Sequence, residues 1–324
     1  MDYVLLVVGF AVLTFAADWL VDGASGLAKK LNISDLVIGL TVVAFGTSAP
    51  ELVVNLVATG NGTNEIALTN ALGSNTINTL IILGVSAVIY PISCKKTTFH
   101  YEIPLSFLAG LLVLVLGTNI FGLTTGIEHG FIGLTRYDGV LFLSIFIGFI
   151  TYSIYQARNH KDNADQPCEN YKPMPIWRAV LLVFAGLAGL IFGGELIVDK
   201  ATAIARTWGV SEAVIGVTIV ALGTSLPELA TSAIAAFKHN TDLAIGNVIG
   251  SNIFNVFFIL GISSTIMPLA TYDTFIIDTA MAAGSSLLLI ALIAMNKHRN
   301  ITRLGGVIML TCYTAYLYWL LSTI

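Results

Sequence analysis

Apolar stretches of about twenty residues recur from one end of this 324-residue chain to the other. A helix of about that length crosses a hydrocarbon core of about 30 Å. Lipid satisfies no backbone N–H or C=O, so segments this long and apolar fold as helices, which satisfy their own. Only 10% of the residues are charged and 56% are hydrophobic, whereas soluble domains carry about 25% charged residues. The chain therefore reads as an all-α polytopic membrane protein, with the lipid bilayer as its surroundings. A formal charge of −4 gives no footprint for nucleic acid or for an acidic partner.

Ten spans are predicted, near 3–22, 34–58, 65–90, 102–119, 138–157, 176–198, 211–237, 242–267, 274–296 and 302–322. Residues 119–137 read as a loop, and 158–175, rich in Pro, Lys and Asp, as the one clear linker. The N-terminus has no basic region before its apolar run, so the first span reads as retained rather than cleaved. The loops after spans 1, 3, 5, 7 and 9 carry twelve Lys or Arg against three on the other side. By the positive-inside rule the 158–175 linker is cytoplasmic and both termini are extracellular or periplasmic, in the inner (plasma) membrane of the cell. Cys94, Cys168 and Cys312 have no metal or redox spacing, and no cofactor is expected.

Residues 35–91 align without a gap on 212–268, with 25 identities in 57 positions. That is an internal duplication. Five spans separate equivalent points, so the repeats, 1–157 (spans 1–5) and 176–324 (spans 6–10), have opposite orientation in the membrane. Inverted repeats are typical of secondary transporters, whose substrate site lies at the midplane between them.

Each repeat carries Gly-Thr-Ser-x-Pro-Glu in the middle of an apolar run, Gly46 to Glu51 and Gly223 to Glu228. A carboxylate at bilayer depth costs roughly 2.5–3.5 kcal/mol on insertion scales. Pro50 has no N–H for the carbonyl of Gly46, and it biases Ala49 away from helical geometry. The helix is expected to break there, and again at Pro227, leaving carbonyls, hydroxyls and a carboxylate together. Hard cations such as Ca²⁺ take six to eight such oxygens. The structural alternative is a capping box, with Ser48 capping the new half-helix and Glu51 bonding back. Capping does not explain a midplane glutamate in both halves.

A second pair of motifs follows, Gly73-Ser74-Asn75-Thr76-Ile77-Asn78 and Gly250-Ser251-Asn252-Ile253-Phe254-Asn255. Serine and the final asparagine stand at i and i+4 on one helix face, and the glycines are expected to admit close helix neighbours. Interhelical hydrogen bonding is the alternative role, and beside two buried glutamates the ligand role prevails. Asp18, Asp22, Glu195 and Asp199 read as interfacial anchors near span ends. Asp35 and Glu212 suit helix N-termini, and Thr41 and Thr218 are expected to back-bond within their helices.

At these motifs the chain resembles the sodium/calcium exchanger family of the calcium/cation antiporter superfamily, in its compact prokaryotic form. The resemblance covers the ten-span layout and is most specific over 39–84 and 216–261. It implies Glu51 and Glu228 as the central ion-binding carboxylates, lined by the carbonyls of Ala44, Thr47, Ala221 and Thr224. It implies sodium positions at the hydroxyls of Ser48, Ser74, Ser225 and Ser251, with Asn78 and Asn255 at the remaining polar corner. Many relatives have aspartate where this chain has Asn255. The implied activity is exchange of Na⁺ for Ca²⁺ by alternating access, three sodium ions per calcium, with spans 1 and 6 sliding against the rest. The transported ions are the only ligands implied, and a monomer suffices.

Three other readings compete. A proton-coupled Ca²⁺ exchanger of the same superfamily would let the glutamates bind H⁺, and the many hydroxyls favour sodium over it. Other divalent cations are alternative cargo. A channel predicts a continuous wet pore rather than duplicated half-sites, and an intramembrane hydrolase needs a nucleophile or a metal triad that no motif supplies.

Overall fold

The computed structural model describes residues 1–118, 132–159, 174–210, 212–215, 218–219 and 221–323. Residues 119–131 of the predicted loop and 160–173 of the predicted linker, Cys168 included, lie outside the described residues.

The described residues are helical almost throughout. We number its helices α1 (Asp2–Leu31), α2 (Asp35–Thr47), α3 (Ala49–Gly60), α4 (Glu65–Ile89), α5 (Thr98–Gly117), α6 (Arg136–Ala157) and α7 (Ile176–Thr207). These are followed by α8 (Glu212–Ile215), α9 (Ala221–Thr224) and α10 (Leu226–Phe237). The last three are α11 (Thr241–Ile266), α12 (Phe275–Ala294) and α13 (Arg303–Ser322). Eight of the described helices are long and apolar enough to cross a membrane, and the bent pair α2–α3 makes nine. The predicted span 211–237 is described in pieces, ending in α10, with 211, 216–217 and 220 outside the described residues.

Two helices run longer than the sequence pattern suggests. α1 has 30 residues and α7 has 32, against predictions of 3–22 and 176–198. Their polar last turns, read from sequence as leaving the membrane, continue as helix, as a tilted helix allows. α1 lies along α7, and glycines let the backbones approach. A Cβ built on Gly23 would come within 2.8 Å of the Ala179 carbonyl, and one on Gly186 within 2.8 Å of the Ala16 carbonyl. Close packing of small residues is the usual glue between helices in lipid, where the hydrophobic effect offers none.

α4 and α11 form the centre. The most apolar window of α11 is 94% buried and that of α4 72%, against 22% for α6 and α13 at the periphery. Each central helix carries one copy of the second motif, and each loosens into a π-helical turn there. Asn78 opens the turn Asn78–Ile82, and Asn255 lies in Phe254–Leu260. Such π-turns are rare and frequently mark functional sites. Of the two motif glycines, Gly250 behaves as expected, since a Cβ there would lie 2.7 Å from Ala44 Cβ and from the Leu40 carbonyl. Gly73 does not, because no described atom lies within 4 Å of its Cβ position.

Two short antiparallel strand pairs clip loops of the two halves together. β1 (Ile92–Ser93) pairs with β4 (Asn300–Ile301), and β2 (Gly133–Leu134) with β3 (Leu269–Ala270). Each pair joins loops that the charge pattern predicts on one membrane face.

Candidate ion-binding site

The helix breaks fall where the prolines require them. α2 and α3 meet at a 46° bend, with Ser48 between them at φ −83°, ψ 11°. Ser225 takes nearly the same backbone, φ −90°, ψ 6°, ahead of α10. Glu51 and Glu228 follow in the first turns of α3 and α10, where the N-terminal helix dipole favours negative charge. Both are enclosed, with 1% and 0% of their surface exposed.

The motifs complete one another. Ser48 Oγ donates to Glu228 Oε1 at 2.8 Å, and Ser225 Oγ donates to Glu51 Oε1 at 3.4 Å. The serine of each motif therefore reaches the glutamate of the other. Neither serine side chain caps its own half-helix, so the capping alternative fails. Ser251 Oγ adds a second donor to Glu228 Oε1, at 3.4 Å. In each glutamate the other carboxylate oxygen, Oε2, is buried with no hydrogen-bond partner. Buried polar atoms are nearly always paired. Two buried carboxylate oxygens without a hydrogen-bond partner suit a cationic ligand. Thr224 Oγ1, both amide atoms of Asn78 and Asn255 Oδ1 are likewise buried without partners. The unsatisfied set is made of hard oxygen, with the Asn78 amide nitrogen as its one exception.

The remaining candidate residues fall in three ways. Thr47 Oγ1 donates to Asn247 Oδ1 at 3.1 Å and to the Ala44 carbonyl at 3.4 Å. The Ala44 carbonyl accepts the Ser48 N–H at 3.0 Å as an ordinary helical bond, and Ala221 begins α9 at the matching place. Ser74 is buried on the same helix as Asn78, with no hydrogen bond to either glutamate. Asn255 Nδ2 donates to Asn75 Oδ1 at 3.1 Å rather than to a carboxylate.

Several framework residues escape sequence reasoning. Asn70 Nδ2 donates to the Glu51 carbonyl at 3.4 Å and to Asn55 Oδ1 at 2.7 Å. Its repeat partner Asn247 donates to the Glu228 carbonyl at 3.5 Å and to Ser232 Oγ at 3.0 Å. Asn75 donates to the Asn252 carbonyl at 3.1 Å, and Asn252 to Thr79 Oγ1 at 2.8 Å. The signal was available, because Asn70 and Asn247 match in the duplication.

A cavity of about 380 Å³ leads toward the breaks from one side, lined by Pro50, Val54, Glu195, Asp199, Thr224 and Pro227. A second, apolar cleft of about 600 Å³, with Gly46 in its wall, lies between Phe45, Phe184, Leu187 and Phe254. Hydrocarbon walls offer an ion nothing, so the first cavity is the polar approach.

The chain matches known proteins along nearly its whole length. The family described as "Sodium/calcium exchanger protein" matches residues 1–155 and 178–322. A relative from Alkalimonas amylolytica, named putative antiporter CaxA, is 39% identical over 99% of this chain and 98% of its own length. The sodium/calcium exchanger MaX1 of Methanosarcina acetivorans is 30% identical, covering 98% of this chain and 97% of its own. Among solved structures, the sodium-calcium exchanger NCX_Mj superposes with a TM-score of 0.81 at 32% identity, over 98% of this chain and 97% of that one.

Proposed function

This chain is a multi-pass membrane protein of the sodium/calcium exchanger family, and from that premise we propose that it exchanges Na⁺ for Ca²⁺ by alternating access at the paired glutamates. The observation that carries the reading is the crossed pairing of Ser48 with Glu228 and Ser225 with Glu51, each glutamate keeping a free buried oxygen. Two carboxylates carry −2, which one Ca²⁺ or two Na⁺ neutralise, with further Na⁺ adding net charge. Ca²⁺ takes six to eight oxygens at about 2.3–2.6 Å. The glutamates and the carbonyls of Ala44, Thr47, Ala221 and Thr224 are the ligands we assign to it. Ser48, Ser74, Ser225, Ser251, Asn78 and Asn255 take the flanking sodium positions. Ligands shared by the two ions make their occupancy mutually exclusive, and this couples the fluxes.

The architecture we propose has ten spans in two inverted repeats, 1–157 and 176–324, joined by a cytoplasmic linker at 158–175. Both termini then face outward. The matching breaks at Ser48 and Ser225 support it, as does the pairing of same-face loops in both strand clips.

The decisive experiment is ⁴⁵Ca²⁺ uptake into Na⁺-loaded proteoliposomes, against a pH gradient at equal Na⁺, for the parent protein and Glu51→Gln. Uptake driven by the outward Na⁺ gradient and lost in the variant is the expected result. Uptake driven only by the pH gradient would assign the carboxylates to protons instead. No gradient-driven uptake in either arm would end the exchanger reading.

A further inference from the structure

The duplication extends beyond the site helices. Without a gap, and with the same spacing of 177 residues, α1 aligns on α7, so Asp18 matches Glu195, Asp22 matches Asp199 and Ser25 matches Thr202. Likewise Asn61, which closes α3, matches Lys238, which closes α10. Each repeat thus sets two acids, one turn apart on a long helix, against the end of a half-helix that carries a central glutamate.

The two copies are in different states. On α1, Lys238 Nζ bridges Asp18 Oδ1 at 2.6 Å and Asp22 Oδ1 at 2.5 Å. One turn further on, Asn240 Nδ2 donates to Ser25 Oγ at 2.9 Å. On α7, Glu195 and Asp199 line the 380 Å³ cavity. Among the described residues neither has a hydrogen-bond or ion-pair partner, and Thr202 Oγ1 is buried without one. The position that would answer Lys238 is the neutral, exposed Asn61. One repeat is fastened shut and its counterpart stands open. Lys238 does the fastening, and its counterpart Asn61 has no charge to do the same.

We propose that Asp18, Asp22 and Lys238 form an ionic latch that ties α1 to the end of α10 and holds the protein in the conformation whose open cavity lies beside α7. The latch rests on the alternating-access reading above. In the proposed topology it closes the cytoplasmic side. Turnover must break it, and no equivalent lock forms when the α7 side closes, because Asn61 carries no charge. The resting equilibrium is therefore biased toward the outward-open form, as the inverted repeats alone would not bias it. The latch is partly exposed, with 22% of the Lys238 side chain accessible. Partly exposed pairs are weak, though enough to tilt a two-state equilibrium without freezing it.

The test uses the full chain in liposomes, with its native cysteines replaced and a single reporter at Val54→Cys, in the open cavity. Labelling by a membrane-impermeant maleimide reports the outward-open population and requires no transport, so its outcome is independent of which ion is carried. Lys238→Asn should slow labelling by up to about twofold, since loss of a weak ion pair returns a majority outward-open population toward an even one. The double variant Asp18→Asn/Asp22→Asn should do the same, Lys238→Arg should retain the parent rate, and Asn61→Lys should also slow it by latching the other side. A parent-like rate in both Lys238→Asn and Asp18→Asn/Asp22→Asn would overturn the latch. So would slowing in Lys238→Arg equal to that in Lys238→Asn, which would make the effect one of packing rather than charge.

Discussion

Ser48 and Ser225 do the same chemistry at unequal range, 2.8 Å against 3.4 Å. A hydrogen bond to a charged group contributes about 1.5–3 kcal/mol, falling off steeply with distance and misalignment. Ser48→Ala should therefore weaken apparent Ca²⁺ affinity by about tenfold or more, the equivalent of about 1.4 kcal/mol, and Ser225→Ala by less. Equal losses in a ⁴⁵Ca²⁺ saturation series would show that the two distances equalise once the ion is bound. A second prediction concerns Cys94, in the loop after α4. Burial first, then the nearby Glu102 and Asp242 carboxylates, push its thiol up to about 12. The raised value keeps the neutral thiol at pH 7–8, and the thiolate is the reactive species. Cys94 should resist maleimide at pH 8 in the folded protein and react once the chain is denatured, as mass spectrometry can check. Glu51 and Glu228 were legible in the sequence because an acid in an apolar run has few other uses. Their crossed serine partners were not, since hydrogen bonds spanning 174 and 180 residues leave no local spacing to read.

The broken helix follows from one missing N–H. Pro50 leaves the Gly46 carbonyl without its helical donor, and the chain bends by 46° one residue after α2 ends. Pro50→Ala restores that donor and should let α2 and α3 join into a straighter helix. Exchange should be lost while the thermal unfolding temperature holds, because Pro50 stands in the first turn of α3, where a proline is tolerated. Retained exchange would mean that the bend is set by packing and not by the proline. Gly250→Ala should act on stability instead. Its Cβ would sit 2.7 Å from Ala44 Cβ and 2.8 Å from Leu40 Cα, and overpacking of this kind costs about 1–3 kcal/mol. Thermal shift assays should show it destabilised and Gly73→Ala nearly unchanged. The breaks were foreseeable because proline acts locally. The π-turns at Asn78 and Asn255 were not, since an extra residue in a helical turn is fixed by the packing of α4 and α11 around it.

Alternating access asks that something move while the site helices keep their shape, and the packing indicates which body that is. α1 and α7 share a long glycine seam, where a Cβ on Gly189 would meet Ala16 Cβ at 2.7 Å. The open cavity lies between α7 and α3, with α9 along one wall. Two helices joined that tightly move as a unit, and a cavity on one side with an ionic contact on the other is the asymmetry that such a unit leaves at one end of its travel. Eight spans and the bent pair were legible in hydropathy, but the pairing of α1 with α7 came only through the family resemblance, because lipid-facing and seam-facing positions are equally apolar. A cross-link within the moving body should be harmless and one across the cavity fatal. Asp2→Cys/Lys200→Cys, at an ion pair of 3.8 Å between α1 and α7, should retain ⁴⁵Ca²⁺ exchange when bridged by a bifunctional thiol reagent. Val54→Cys/Val198→Cys, bridged by a short bifunctional thiol reagent with a reducible spacer, should lose exchange and regain it on reduction. If the first cross-link stops transport and the second does not, α1 and α7 move against each other rather than together.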